Sequence, residues 1–83
     1  MDMHVRHKLL HAATEYDRKQ STKKGYNVYA LSHYLGAVQA IEEDVDHGMD
    51  LRKAIVTRTT GRLATALLKA VGLPALTAQE ARY

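Results

Sequence analysis

Hydrophobic residues recur along most of the chain at spacings of three and four residues, which is the period of an amphipathic helix. We predict helices over residues 3–22, 28–47, 51–57 and 60–71, followed by a short C-terminal turn. No segment alternates between apolar and polar residues in the way that a half-buried strand does. The pattern therefore predicts an all-α fold, a compact bundle of about four short helices that forms one domain over residues 1–83.

Glycines and capping residues set the boundaries of these segments. Gly25, Gly48 and Gly72 stand where helices are expected to stop, since glycine readily takes the left-handed conformation that ends a helix. Asn27 and Asp50 are favourable N-caps for the segments that follow them. The second and third helices therefore have a predicted cap at the start, and the second also has a predicted stop.

Two questions remain open in the C-terminal third. Residues 51–71 can form one bent helix or two, and the β-branched residues before Gly61 favour a break. A turn at Gly72 could also open a helix-turn-helix motif. In that case the side chains facing DNA would be Thr77, Gln79 and Arg82. We favour a plain helix stop followed by a capping box over residues 77–80.

Charge is unevenly distributed along the chain. The overall net charge of +3 is mild, but residues 1–24 carry +3, residues 25–50 carry −5 and residues 51–83 carry +5. An acidic middle thus lies between two basic flanks. Either the middle pairs with the flanks inside one fold, or the basic surfaces meet an anionic partner.

Two groups of residues are candidates for contacting the phosphates of a nucleic acid. If one helix ran through residues 58–69, the first group would share an exposed face; it comprises Arg58, Arg62, Thr65 and Lys69. The second group precedes Tyr26 and Tyr29, and basic residues interleaved with aromatics suit single-stranded nucleic acid. It comprises Arg18, Lys19, Lys23 and Lys24, and its three lysines are the candidate phosphate-binding residues. The alternative for both groups is an ordinary solvated surface.

A face of the second helix is a candidate partner or homodimer interface. It comprises Tyr29, His33, Gly36 and Ala40. A glycine in mid-helix costs about 1 kcal/mol relative to alanine, and small residues four apart leave a smooth groove that another backbone can approach. The alternative is a central helix that is packed on both sides within the monomer.

An acidic run near the end of the second helix opposes the helix macrodipole. Its candidate interface residues are Glu43, Asp44 and Asp46. They are either a docking patch for a basic partner surface, or they are compensated by Arg52, Lys53 or the basic first helix.

Several classes of protein are not expected. Cysteine is absent, so disulfides and thiolate metal sites are excluded. With no run of 18 apolar residues and no signal-peptide pattern, we expect no membrane partner and a cytoplasmic location. His7 and His11 could hold a metal in vitro, but no neighbouring carboxylate orients them, so we expect no metal and no cofactor. No nucleophile, base and orienting group stand together, so we do not expect an enzyme.

In size, charge polarity and helix content the chain resembles small helical accessory proteins of phages, plasmids and other bacterial mobile elements. That resemblance implies a regulator of gene expression or an inhibitor of host defence. Our first hypothesis is a basic helical nucleic-acid-binding or regulatory protein, which could be dimeric. The second is a protein-interaction module, such as an anti-CRISPR or anti-restriction inhibitor, that binds a nucleic-acid-handling complex. The third is a homodimeric structural protein.

Overall fold

The computed structural model describes the backbone of residues 1–24 and 28–82, and the side chains of residues 1–19 and 34–81. The described part of the chain is an all-α bundle, as the sequence predicts. Its helices begin and end within two residues of the predicted positions. The elements are α1 (Met3–Lys24), α2 (Val28–Asp46), α3 (Leu51–Arg58), α4 (Gly61–Ala70) and a 3₁₀ turn (Glu80–Arg82).

Residues 51–71 form two helices rather than one. Thr59 and Thr60 have extended backbone, with φ of −133° and −134°, so the helical path stops between α3 and α4. Gly61 then starts α4 with a φ of 56°, a conformation that favours glycine. The break favoured by the sequence is confirmed, and the condition under which Arg58 would share one helix face with Arg62 is not met, because the two arginines lie on different helices.

Three of the predicted helix boundaries follow the expected capping chemistry, while Gly25 and Asn27 lie outside the described residues. The carboxylate of Asp50 accepts a hydrogen bond from the backbone N–H of Lys53 at 3.1 Å, which caps the start of α3. Gly48 and Gly72 follow α2 and α4 with φ of 102° and 72°, the left-handed conformation expected of a glycine stop.

The core lies where the four helices meet. Helix α1 packs against α2 and α4, and α3 packs against the same two helices, so the contacts close into a ring. The buried apolar side chains come from every helix: Leu9, Ala13, Val38, Ile41, Ala54, Ile55, Leu63, Ala64, Leu67 and Leu68. Leu35 of α2, although apolar, is 37% exposed. It lies at the edge of a surface groove between α1 and α2, beside Leu10.

Arg52 of α3 makes several hydrogen bonds to the segment that follows α4. Its guanidinium donates hydrogen bonds to the backbone carbonyls of Pro74 at 3.1 Å and Ala75 at 2.8 Å. It also donates to both carboxylate oxygens of Glu80, at 3.0 and 2.7 Å. One planar side chain with several fixed donors thus holds two backbone groups and one carboxylate.

Glu80 also forms the capping box predicted over residues 77–80. The backbone N–H of Thr77 donates to the Glu80 carboxylate at 2.8 Å, and the N–H of Glu80 donates to the Thr77 hydroxyl at 3.1 Å. Residues 73–77 are not helical, and only a 3₁₀ turn follows. Over residues 73–82 the structure therefore has a plain helix stop and lacks the recognition helix of a helix-turn-helix motif.

We predict that Glu80 gives this fold an acid-sensitive contact. Hydrogen bonds from Arg52 and Thr77 lower the pKa of Glu80 from its ordinary 4.5 to about 2. The contact therefore contributes fully above about pH 4.5 and is lost as the pH falls through about 2. In urea unfolding, the wild type should exceed Glu80→Gln in stability at neutral pH, and the two should converge near pH 2.

Glu43→Gln is the matched control, because Glu43 is exposed and makes none of the described ion pairs. Its effect should be small beside that of Glu80→Gln. A difference between wild type and Glu80→Gln that stays constant from neutral pH to about pH 2 would contradict the prediction.

Candidate nucleic-acid interface

Helices α1 and α4 lie side by side and leave an open groove of about 430 Å³ between them. We call it the basic groove; it is lined by Ala12, Glu15, Tyr16, Lys19, Ala66, Lys69 and Ala70. Three alanines and a tyrosine supply apolar surface, while a lysine from each helix supplies positive charge. Lys19 and Lys69 belong to the two separate basic groups proposed from the sequence. The fold brings them to one groove.

Two further cations extend the edges of the basic groove by helical spacing. Lys8 precedes Ala12 by four residues on α1, and Arg62 precedes Ala66 by four residues on α4. Residues four apart are neighbours on one side of a helix. Both side chains are exposed. Each helix therefore carries two cations along the side on which the groove lies.

Glu15, the one acidic residue among the described lining residues, has a cation partner. It accepts a hydrogen bond from the guanidinium of Arg18 at 2.9 Å, three residues along α1. Such an exposed pair contributes little to stability. It does offset the negative charge of Glu15 at the groove.

Arg58 is engaged within the fold. Its guanidinium donates two hydrogen bonds to the carboxylate of Asp44, at 2.7 and 2.9 Å, which joins α3 to α2. Those hydrogen bonds lower the pKa of Asp44 and raise that of Arg58. Arg58 therefore differs from Arg62 and Lys69, which make no ion pair among the described residues.

The acidic run of α2 is largely compensated inside the bundle. Glu42 pairs with Arg6 of α1 at 3.0 Å, and Asp46 contacts the amino group of Met1. The basic first helix thus supplies part of the compensation considered from the sequence. Arg52 does not, since it binds Glu80 instead. Of the three acidic residues proposed as a docking patch, only Glu43 lies outside the described ion pairs.

The candidate face on α2 is open at its centre. Gly36 is exposed, and a Cβ built on it would meet no described atom within 4 Å, while Ala40 is half-buried. A side chain at position 36 would therefore meet no described part of the monomer, although α2 as a whole packs against both α1 and α3. Tyr29 and His33 complete this face, and their side chains lie outside the part of the chain whose side chains the structure describes. The side chains of Lys23 and Lys24, two of the proposed phosphate-binding residues, also lie outside it.

Sequence analysis missed a buried carboxylate beside the basic groove. Asp17 is only 3% exposed, and it follows Leu9 and Ala13 at spacings of four, so the helical period could have identified it. Next to it, the rings of Tyr16 and Tyr34 meet edge to face at a centroid distance of 5.4 Å. Burial raises the pKa of Tyr34, and the nearby Tyr16 and Asp17 raise it further.

The described part of the chain offers no further chemical site. Within it, no three histidine or carboxylate side chains converge where they could hold a metal ion. His4, His7 and His11 lie on the exposed face of α1. None of the described helices combines the length and the apolar character needed to cross a bilayer. The chain matches no protein-family model, no curated protein and no solved structure.

We predict that Gly36→Ala stabilises the monomer. The position is helical and the added methyl group meets open space, so the change should raise the free energy of unfolding by about 0.5–1 kcal/mol. Chemical denaturation measures it. Gly72→Ala is the contrasting variant, because the φ of 72° at that position strains any residue with a Cβ. A loss of stability in Gly36→Ala would show that a backbone does pack against this face.

Proposed function

We propose that this protein binds nucleic acid without catalysing a reaction, and that it does so through the basic groove. The observation that carries the proposal is that Lys19 of α1 and Lys69 of α4 line one groove, with Lys8 and Arg62 beside it. A linear array of cations along a groove suits the regular negative charge of a phosphate backbone. Such a protein would act as a small regulator, in keeping with the first hypothesis from the sequence.

The contacts that the acidic side chains make within the fold support this proposal. Five of the nine acidic side chains have a cation within the fold: Glu15, Glu42, Asp44, Asp46 and Glu80. Asp2 and Asp50 accept backbone N–H groups near helix starts, and Asp17 is buried. Most negative charge is thus engaged inside the bundle, while Lys8, Lys53, Arg62 and Lys69 remain exposed. Arg62 and Lys69 in particular make no ion pair with a described carboxylate, so their charge is available to an anionic polymer.

The proposed interface is narrower than the set of residues suggested by the sequence. It retains Lys19, Arg62, Thr65 and Lys69 and adds Lys8. Thr65 is exposed on α4, and its hydroxyl donates to the carbonyl of Gly61 at 3.1 Å. Arg58 leaves the set, because a phosphate would have to compete with Asp44 for its guanidinium.

We expect Arg62→Glu and Lys69→Glu each to weaken binding to a labelled oligonucleotide. Each reversal removes a phosphate contact, so the slope of log affinity against log salt should fall in magnitude by about 1. Fluorescence anisotropy between about 50 and 200 mM salt measures both effects. Arg62 lies in the first turn of α4, where glutamate suits the helix dipole, so this variant should fold.

Lys53→Glu is the matched control. Lys53 is exposed on α3, which packs against α2 and α4, and it does not line the basic groove. The change in net charge is the same as in the test variants, yet affinity and salt slope should stay near the wild-type values. Equal weakening by all three variants would remove the groove from the proposal. Absence of oligonucleotide binding at low salt would overturn it.

A second candidate function is a protein-interaction module that uses the α2 face around Gly36. The favouring observation is that the described monomer makes no contact with this glycine, although a mid-helix glycine carries a cost in helix stability. A partner backbone lying close to the helix would explain why a glycine stands at position 36. That partner would be a second copy of the chain or a nucleic-acid-handling protein complex.

Gly36→Leu tests this second function. The substitution should leave the monomer folded, because open space surrounds the position, and should block close approach of a partner helix. Size-exclusion chromatography with light scattering reports self-association, and pull-down from nuclease-treated extract reports a protein partner. Gly36→Ala, which adds only a methyl group, is the graded control. Complexes that are unchanged by leucine would exclude this face as an interface.

A further inference from the structure

We propose that the basic groove takes a single strand of nucleic acid rather than a duplex. The phosphates would lie along the lysine edges, and a base would rest on the floor of the groove. This inference depends on the proposed function and narrows it to one class of ligand. Three features of the described residues favour it: the chemistry of the floor, the packing of α4 and the setting of Tyr16.

The floor of the basic groove is apolar between charged edges. Its described lining combines the side chains of Ala12, Tyr16, Ala66 and Ala70 with three charged ones: Lys19, Lys69 and Glu15, whose carboxylate pairs with Arg18. A duplex keeps the faces of its bases stacked inside and presents phosphates, sugars and base edges. A single strand exposes base faces, which bind aromatic and apolar surfaces while the phosphates bind cations. An apolar floor between two cationic edges matches the single strand.

The packing of α4 works against duplex recognition. Proteins that read a duplex commonly insert a protruding helix into the major groove, which is about 12 Å wide. Here α4 packs against both α1 and α3, so part of its surface is already covered by two neighbouring helices. The space between α1 and α4 is a groove of about 430 Å³, into which a strand can descend and a duplex cannot.

Tyr16 is held in place by the core beneath the groove. Its ring packs edge to face against Tyr34, at an interplanar angle of 81°, and it is half-buried at the boundary of the core. A tyrosine fixed in this way loses little conformational freedom when a base contacts it. The face of a base can stack on this ring, whereas the carboxylates of an acidic peptide would engage only the lysines. For that reason we favour a nucleotide strand over an acidic peptide.

The test compares one labelled DNA strand of about 20 nucleotides with its own duplex, at the same salt concentration. We expect the wild type to bind the strand at least about tenfold more tightly than the duplex. Tyr16→Phe should keep that affinity, because the ring remains. Tyr16→Leu should weaken strand binding by about fivefold or more, since base stacking is lost. Circular dichroism checks that each variant folds.

Ala66→Leu provides a second variant that does not depend on the tyrosine pair. Leucine is a good helix former and would fill the floor without changing any charge, so strand binding should weaken while the salt slope stays constant. Comparable affinity for strand and duplex, with both sensitive to Lys69→Glu, would overturn the single-strand inference and leave the proposed function standing. Failure to bind either form would overturn the proposed function itself. Displacement of the strand by polyglutamate at equal charge concentration would assign the groove to acidic peptides and overturn the inference.

Discussion

The shared burial of Leu9, Ile41, Ile55 and Leu67, one from each helix, is the contact on which the rest of the structure depends. Helices of eight and ten residues, such as α3 and α4, are marginal on their own in water. Each one persists because its apolar face is covered by two neighbours in the ring. The groove between α1 and α4, the break at Thr59 and every cross-helix ion pair exist only once that burial has fixed where the helices lie.

Charge is organised by the same packing. The alternation of basic, acidic and basic stretches along the chain allows α2 to meet Arg6 on one side and Arg58 on the other. Other cations make no ion pair with a described carboxylate and stay exposed at the surface, among them Arg62 and Lys69. The proposed function depends on where exposed cations lie and not on the mild overall charge.

The helices were predictable because the signals that set them are local in sequence. The spacing of apolar residues, the N-cap Asp50 and the glycine stops each act on residues only a few positions away. The basic groove was not predictable, because the spacing of residues along the chain does not indicate which helices become neighbours in the fold. Lys19 and Lys69 were chosen for separate reasons and meet only through the contact of α1 with α4. The pairing of Arg58 was not predictable for a related reason, since its partner Asp44 is 14 residues away and on another helix.

Arg52 holds the segment that follows α4 through its geometry as much as through its charge. Its planar fork reaches the carbonyls of Pro74 and Ala75 and both oxygens of Glu80 from one position. A lysine would carry the same charge on a single compact ammonium and could not span those acceptors together. Position 52 is therefore intolerant of an exchange that substitution tables treat as conservative. Attempts to re-engineer the carboxyl-terminal end of this protein should leave that guanidinium unaltered.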